Sequence, residues 1–232
     1  MGRSRRARAI DAVRRADQRR PARRRPARTS QAFPRRRQDR RHARRRRDPD
    51  PRVSKIRVSG GEARGRRLKA PKNIRPTMDM VKQAIFNMVG PDIEGSTVLD
   101  LFAGSGALGI EALSRGAAVV TFVDQHPRGL AILRQNLDAL GFKDRAHIVR
   151  GDVVRWVEAS PDAVRKADFV FLDPPYDDAV LDRALRALDH TVEDATVLAE
   201  HSRRQQPPSL ERLHVDRERR YGDTVVTVLK TA

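Results

Sequence analysis

The 232-residue chain contains no cysteine, and that absence excludes several chemistries together. There is no disulfide framework, no thiolate-held zinc and no cysteine nucleophile. Thiolate attack on a pyrimidine ring and radical chemistry on a Cys-ligated iron–sulfur cluster are excluded with them. No apolar run approaches the roughly 20 residues that cross a bilayer, and the N-terminus has no apolar segment of the kind that directs secretion. These absences predict a soluble cytoplasmic protein with no membrane association.

Lysine is also missing from the first 51 residues, which hold 21 Arg and 5 Asp and account for +16 of the formal net charge of +19. So dense a run of one charge cannot bury enough apolar surface to offset the entropy of ordering it, and residues 1–52 are expected to be a disordered leader. Three readings of it stay open. A basic arm would bind nucleic acid by releasing phosphate counterions. A transit peptide would be richer in Ser and poorer in acids. Alternatively, the segment is read-through of GC-rich DNA ahead of a GTG start at Val53. Residues 53–232, near neutral, are the size of one domain.

From Ile56 the patterning becomes regular. Ile56 and Val58 alternate with Lys55 and Arg57, and Gly60-Gly61 gives a turn before Arg66-Arg67-Leu68-Lys69, so residues 54–72 read as a small basic β-hairpin. Met78, Val81, Ile85, Met88 and Val89 follow at helical spacing behind Thr77, a good N-cap. Strands are expected at 97–102, 117–123, 146–149, 169–172 and 196–200. They alternate with helices at 107–115, 128–140, 153–158 and 179–188. Alternating βα units imply a mostly parallel sheet covered on both faces. Strands at 210–215 and 224–229, with no long helix between them, close the sheet as an antiparallel hairpin. The fold class is α/β, a Rossmann-like mostly parallel sheet with a basic hairpin and helix at its N-terminal end.

Leu99-Asp100-Leu101-Phe102-Ala103-Gly104-Ser105-Gly106-Ala107-Leu108-Gly109 reads as strand, glycine-rich turn and helix, with Gly104, Gly106 and Gly109 in G-x-G-x-x-G spacing. Asp124 lies 20 residues beyond Gly104 at the end of the next strand, where an acid can hold ribose hydroxyls. A nucleoside cofactor follows, and charge selects which. An anionic Asp100 beside the loop would repel a pyrophosphate but would stabilise the ammonium and sulfonium of S-adenosylmethionine. Asp100, Phe102, Ala103, Gly104, Gly106 and Asp124 are therefore candidate cofactor residues. Asp152, after the third strand of the series, is placed to reach the adenine amine. The structural alternatives are that Asp100 bonds the loop's own amides, that Asp124 caps a helix, and that Asp152 is the N-cap of the helix beginning at Val153.

Phe169-Val170-Phe171-Leu172-Asp173-Pro174-Pro175-Tyr176 is the most specific segment. An apolar strand delivers an acid, two prolines fix the backbone and an aromatic follows. The Asp173 carboxylate and the Pro174 carbonyl can accept both hydrogens of a planar amine while Tyr176 stacks on the base, so Asp173, Pro174, Pro175 and Tyr176 are the catalytic candidates. Catalysis would then be orientation and electrostatics, with no covalent intermediate. Lys55, Arg57, Arg64, Arg66, Arg67, Lys69 and Lys72 cluster on the hairpin and suit a nucleic-acid backbone. His126, His147, His190, His201 and His214 have no metal-ligand spacing and read as surface or core positions, so no metal site is expected. Trp156 reads as packing.

Taken together these residues resemble the class I S-adenosylmethionine-dependent amino-methyltransferases, and more closely the bacterial RsmD-type 16S rRNA (guanine-N(2)-)-methyltransferases. The resemblance runs from about Ile56 to Leu229. It rests on Arg57-Val58-Ser59-Gly60-Gly61, Arg64-Gly65-Arg66-Arg67-Leu68, Arg75-Pro76-Thr77, Phe86-Asn87, Asp100 to Gly116, Asp173 to Tyr176 and Tyr221-Gly222-Asp223-Thr224. It implies a doubly wound seven-stranded fold, a monomer, and methylation of one guanine amine of 16S rRNA in an assembled or assembling small subunit. It also adds Arg75 to the RNA-facing residues. Two readings stay open beside it: a DNA or other amino-methyltransferase with the same corner, and a non-catalytic RNA-binding assembly factor. The helix after Pro76-Thr77 departs from the family pattern, with Met80 where an Arg and Gln83 where a Glu is usual, and the Arg-rich leader lies outside that pattern.

Overall fold

In a computed structural model the described residues are 53–71, 78–175 and 178–231. The chain divides into two units, Met1–Arg46 and Arg47–Ala232, and every described residue belongs to the second. The leader, Lys72, Arg75 and Tyr176 lie outside the described residues, as do the side chains of Val53, Ser54 and Lys55.

Strands β1 (Val53–Arg57) and β2 (Arg67–Pro71) pair antiparallel as a separate two-stranded sheet. Helix α1 (Met78–Val89) leads into β3 (Thr97–Leu101), α2 (Ala107–Ser114), β4 (Val119–Asp124), α3 (Pro127–Leu140) and β5 (Ala146–Arg150). Then come α4 (Val153–Ala159), α5 (Pro161–Arg165), β6 (Phe169–Leu172), α6 (Asp178–Asp189), β7 (Thr196–Ser202), β8 (Leu213–Tyr221) and β9 (Thr224–Thr231). The large sheet has the order β5-β4-β3-β6-β7-β9-β8, parallel from β5 to β7 and antiparallel at β9 and β8. The chain winds outward from β3 to β5 and then resumes on the other side at β6. That reversal opens a crevice at the carboxyl ends of β3 and β6, where α/β sheets bind ligands.

Period-two alternation divides the core between the two faces. Val98, Phe169 and Phe171 join α1, α2, α3 and the hairpin in one cluster, while Leu99, Leu101, Val170 and Leu172 join α4 and α6 in the other. Burial on both faces is why β6 reads as a continuous apolar run and why Asp100 alone interrupts the apolar residues 98–101 of β3. Phe86 of α1 meets Phe171 edge-on at 5.6 Å between ring centroids. Helix α3 starts with Pro127 and ends at Gly141 (φ +76), where the Phe142 amide donates to the Leu137 carbonyl at 3.0 Å. This is the left-handed glycine stop that leaves the chain free to turn into β5.

Three expectations are corrected. The hairpin link is not a Gly-Gly turn but the nine residues 58–66. It lies on α2, with the Glu62 amide donating to the Ser114 carbonyl at 2.8 Å and the Ala63 amide to Ser114 Oγ at 2.9 Å. A Cβ on Gly61 would fall 1.7 Å from the Ser114 carbonyl oxygen, so only glycine allows this approach. The strand expected at 210–215 is β8, displaced to 213–221, because its exposed edge residues carry almost no apolar alternation. The short helix α5 was not anticipated.

Candidate active site

At the end of β3 the chain turns sharply. Phe102 takes φ +65, a left-handed conformation unusual for a large side chain, and is held there because its amide and that of Ala103 both donate to the Val123 carbonyl, at 2.9 and 3.1 Å. Gly104 (φ +54) and Gly106 (φ +83) complete the turn and start α2. Space is open where a Gly104 Cβ would stand, so its glycine answers to backbone conformation and leaves a cradle above the loop. On the other side Gly129 of α3 packs so closely that a Cβ there would be 2.9 Å from the Gly104 carbonyl oxygen. Asn136 of α3 ties the same loop to the hairpin. Its amide donates to the carbonyls of Ser105 (3.1 Å) and Lys69 (2.9 Å), and its oxygen accepts from the Lys69 amide (2.9 Å).

The acids are placed by these strands. Asp100, 2% exposed, accepts from the Gly109 amide at 2.8 Å, so its carboxyl faces the start of α2. Burial pushes it up to about 7, and the charges of Asp173 and Asp124 add to that, against the pull of the Gly109 N–H. Asp124 Oδ2 accepts from the Gly104 amide at 2.7 Å and Oδ1 from the His126 amide at 2.6 Å. Asp152 is the N-cap of α4, accepting from the Arg155 amide at 3.0 Å. Of the structural alternatives raised by the sequence, Asp152 is the cap and Asp100 bonds a backbone amide at the start of α2, whereas Asp124 does not cap α3 but bonds the Gly104 and His126 amides. Asp124 keeps lone pairs for a ligand, because a carboxylate accepts about four hydrogen bonds.

Phe102, Asp124, Asp152, Asp173 and Pro175 line one cleft of about 210 Å³. Leu101 pairs with Leu172, so Phe102 and Asp173 leave neighbouring strands side by side. Asp100, Ala103, Gly104, Gly106 and Pro174 are not on the cleft wall. His126, expected as a surface or core filler, lines it, as do Gln125, Val153, Val154, Val180 and Arg183, which sequence reasoning did not single out. Val153 and Val154 could have been found as the apolar start of a helix directly after Asp152; Arg183 carries no such signal. Three carboxylates on the cleft wall, Asp124, Asp152 and Asp173, outnumber the Arg183 guanidinium beside an apolar and aromatic surface, and Asp100 lies behind the loop with no cation of its own among the described residues. That donor set fits a cationic nucleoside and disfavours a pyrophosphate.

On the hairpin, Arg57, Arg64, Arg66, Arg67 and Lys69 are all exposed. Two of them also reach across to α3: Arg66 Nη2 donates to the Ala139 carbonyl at 2.8 Å and Lys69 Nζ to Gln135 Oε1 at 2.9 Å. Beneath them lies a buried ion network. Glu111 of α2 is fully buried and contacts Lys82 Nζ (3.0 Å) and Arg115 Nε (2.9 Å). It also accepts from the Ser59 amide (2.8 Å), the Ser59 hydroxyl (2.7 Å) and the Gly60 amide (2.7 Å). Burial pushes this carboxyl up, but the Lys82 charge and the Ser59 donors outweigh it and hold Glu111 below its ordinary value.

A protein-family model described as Conserved hypothetical protein 95 matches residues 56–230. YlbH of Bacillus subtilis, provisionally named an rRNA methyltransferase, is 41% identical over 183 residues, 75% of this chain and 98% of its own length. Ribosomal RNA small subunit methyltransferase D of Escherichia coli is 36% identical over 138 residues, 58% of this chain and 67% of its own. A solved structure of Escherichia coli YhhF, provisionally titled a methyltransferase, superposes with a TM-score of 0.68 at 30% identity, covering 77% of this chain and 98% of that one. Fold and site define a class, the Rossmann-like methyltransferases that use S-adenosylmethionine. Within it, the chain belongs to the Conserved hypothetical protein 95 family, the RsmD-type methyltransferases.

Proposed function

We propose that the protein transfers a methyl group from S-adenosylmethionine to the exocyclic N2 amine of a guanine in 16S rRNA of the small ribosomal subunit. The observation that carries this reading is the shared cleft. The nucleoside-facing residues Phe102, Asp124 and Asp152 open onto the same space as Asp173 and Pro175. When bound, S-adenosylmethionine supplies an electrophilic methyl on a sulfonium. Asp124 would hold the ribose hydroxyls, Asp152 the adenine amine, and the Gly104–Gly106 loop with Asp100 behind it the cationic methionine end.

An exocyclic amine is a poor nucleophile because its lone pair is delocalised into the ring. The Asp173 carboxylate and the Pro174 carbonyl, accepting both amine hydrogens, favour a pyramidal nitrogen with its lone pair turned toward the cofactor. The two prolines keep those acceptors from relaxing, so orientation is set before reaction. Tyr176 is assigned the stacking of the base, and the exposed hairpin cations Arg57, Arg64, Arg66 and Arg67 the RNA phosphates, with Lys55 and Arg75 beside them in sequence.

Tritium transfer from labelled S-adenosylmethionine to unmodified small subunits, naked rRNA and duplex DNA in parallel, followed by nucleoside analysis, tests the reading. Label in N2-methylguanosine from small subunits is the expected result. Label only in DNA, or in none of the three, overturns the RNA assignment. Asp173→Ala should lower transfer more than about 100-fold while cofactor binding, measured by calorimetry, stays nearly intact. Equal loss of both would count against the role given to Asp173.

A further inference from the structure

We infer that the loop after β7 forms a second substrate subsite, which takes an RNA phosphodiester flanking the methylated nucleotide on Arg204 and Gln205. The inference rests on the rRNA reading above and adds to it the residues that would hold the strand next to the reacting base.

The topology places this loop beside the chemistry. Strand β7 runs parallel to β6, with Leu172 opposite Ala199, so Ser202 at the end of β7 and Asp173 after β6 lie on one edge of the sheet. Helix α6, which begins just after the Asp-Pro-Pro-Tyr segment, stands between two pockets on that edge. Its Val180 and Arg183 line the cofactor cleft, whereas Leu181 and Asp182 line a second pocket of about 120 Å³ shared with Arg204, Gln205 and Gln206. A nucleotide adjacent to a base seated at Asp173 would need only to step over the first turns of α6 to reach it.

The pocket is built. Strand β9 returns antiparallel, with Thr224 opposite Ser202, and this brings the Tyr221-Gly222-Asp223 turn to the same edge. Asp223 then anchors the loop: its carbonyl accepts from the Arg203 amide at 2.9 Å and its carboxylate pairs with Arg203 Nε at 3.1 Å. The loop closes on itself, the Gln205 amide donating to the Ser202 carbonyl at 2.9 Å and the Arg204 amide to Ser202 Oγ at 3.3 Å. These contacts give the Tyr221-Gly222-Asp223-Thr224 segment, which the cofactor and the amine do not use, a place in substrate recognition.

Gln205 supplies the second, independent observation. The residue is 7% exposed, and its Oε1 accepts from the Ser202 amide at 3.1 Å. That bond fixes which end of the amide is oxygen, because a flipped amide would set NH₂ against the Ser202 N–H. The NH₂ end is left over. Among the described residues Gln205 Nε2 is the only buried side-chain polar atom without a hydrogen-bond partner. Buried donors are nearly always paired, so one kept unpaired at a pocket marks a place for an incoming acceptor.

The charge balance of the pocket then selects an anion. Asp182 is neutralised by Arg186 at 3.0 Å and Asp223 by Arg203, whereas the exposed Arg204 makes no ion pair among the described residues. A guanidinium and an amide NH₂ at one pocket match two oxygens of a phosphate.

Steady-state methyl transfer to unmodified small subunits, with calorimetric titration of S-adenosylmethionine, tests this on the full chain. Two variants are informative. Arg204→Ala removes an exposed cation, and Gln205→Glu keeps the acceptor for the Ser202 amide while replacing the donor with an anion. Each should raise KM for the subunits at least about tenfold, and Arg204→Ala should flatten the slope of log KM against log salt by about one. In both variants kcat and cofactor affinity should stay within error of the wild type, as should the melting temperature of Arg204→Ala, whereas Gln205→Glu, which buries a carboxylate, should melt lower. An unchanged KM in both, or a KM effect matched by an equal loss of cofactor binding, overturns the subsite. Stabilisation by inorganic phosphate that Arg204→Ala abolishes, with KM for subunits unmoved, would assign the pocket to a free anion and also overturn it. A wild-type protein that transfers nothing to rRNA is a different failure, since it removes the function on which the subsite depends.

Discussion

Asp100 and Glu111 both lose their water against the same short helix, α2, and differ in what replaces it. Glu111, on the hairpin side, is met by two cations and three donors from three separate segments, and it sits below its ordinary pKa. Asp100, on the cofactor side, has the Gly109 N–H and two neighbouring carboxylates of like charge, and it is pushed up to about 7. One region is electrostatically closed and holds the hairpin in register on α2. Among the described residues no cation answers Asp100 itself, and the three carboxylates of the neighbouring cleft wall outnumber the Arg183 guanidinium, a balance that a sulfonium and an ammonium would even out.

The sharpest way to break this contrast is Glu111→Ala. It would leave Lys82, 3% exposed, buried without its principal partner, and the expected loss of stability is about 3–5 kcal/mol in urea unfolding. A loss under about 1 kcal/mol would show that the network is no lock. Next in size is Asp100→Asn. Cofactor affinity should fall about tenfold or more at pH 8, equivalent to about 1.4 kcal/mol, in calorimetric titration.

The pH dependence sharpens that second test. With Asp100 raised from 3.8 to about 7, the folded chain keeps a proton that the unfolded chain releases between those values. Its contribution to stability therefore declines as pH rises through that window. Cofactor affinity should move the other way, rising from pH 6 to pH 8 as the carboxyl ionises, and both trends should be blunted in Asp100→Asn. The smallest effect belongs to Asp152→Ala, where loss of the α4 cap should cost about 1 kcal/mol in the same unfolding assay, with a few-fold loss of cofactor affinity from the cleft.

The glycine loop and the Asp-Pro-Pro corner were legible in the sequence because their determinants are local. Gly104, Gly106 and the Asp173-Pro174-Pro175 corner act through backbone geometry within a few residues, and Asp124 is fixed by one βα repeat. The hairpin seam was not legible, because Glu111 meets Ser59 across 52 residues and nothing in α2 announces an acid turned inward. Gly60-Gly61 reads as a tight turn because the pair looks the same in a hairpin as in a loop pressed against a helix. Asp100 was assigned to the ligand from its position before the loop, and only the fold shows its carboxyl turned toward the amide of Gly109. Arg204 and Gln205 passed unnoticed because a pocket made by a strand end and the flank of a helix has no spacing to recognise.

Strand β8 misled the sequence reading for a reason that has a benefit of its own. Among the described residues it ends the large sheet and pairs only with β9, and from His214 to Arg220 every residue is exposed, five of the seven being Asp, Glu or Arg, with a bulge between Val215 and Arg217. A flat apolar strand in that position would be a template on which a second molecule could lay its own backbone. The charges and the bulge deny it that role, so the feature that makes β8 look like a loop also protects the open edge of the sheet from aggregation.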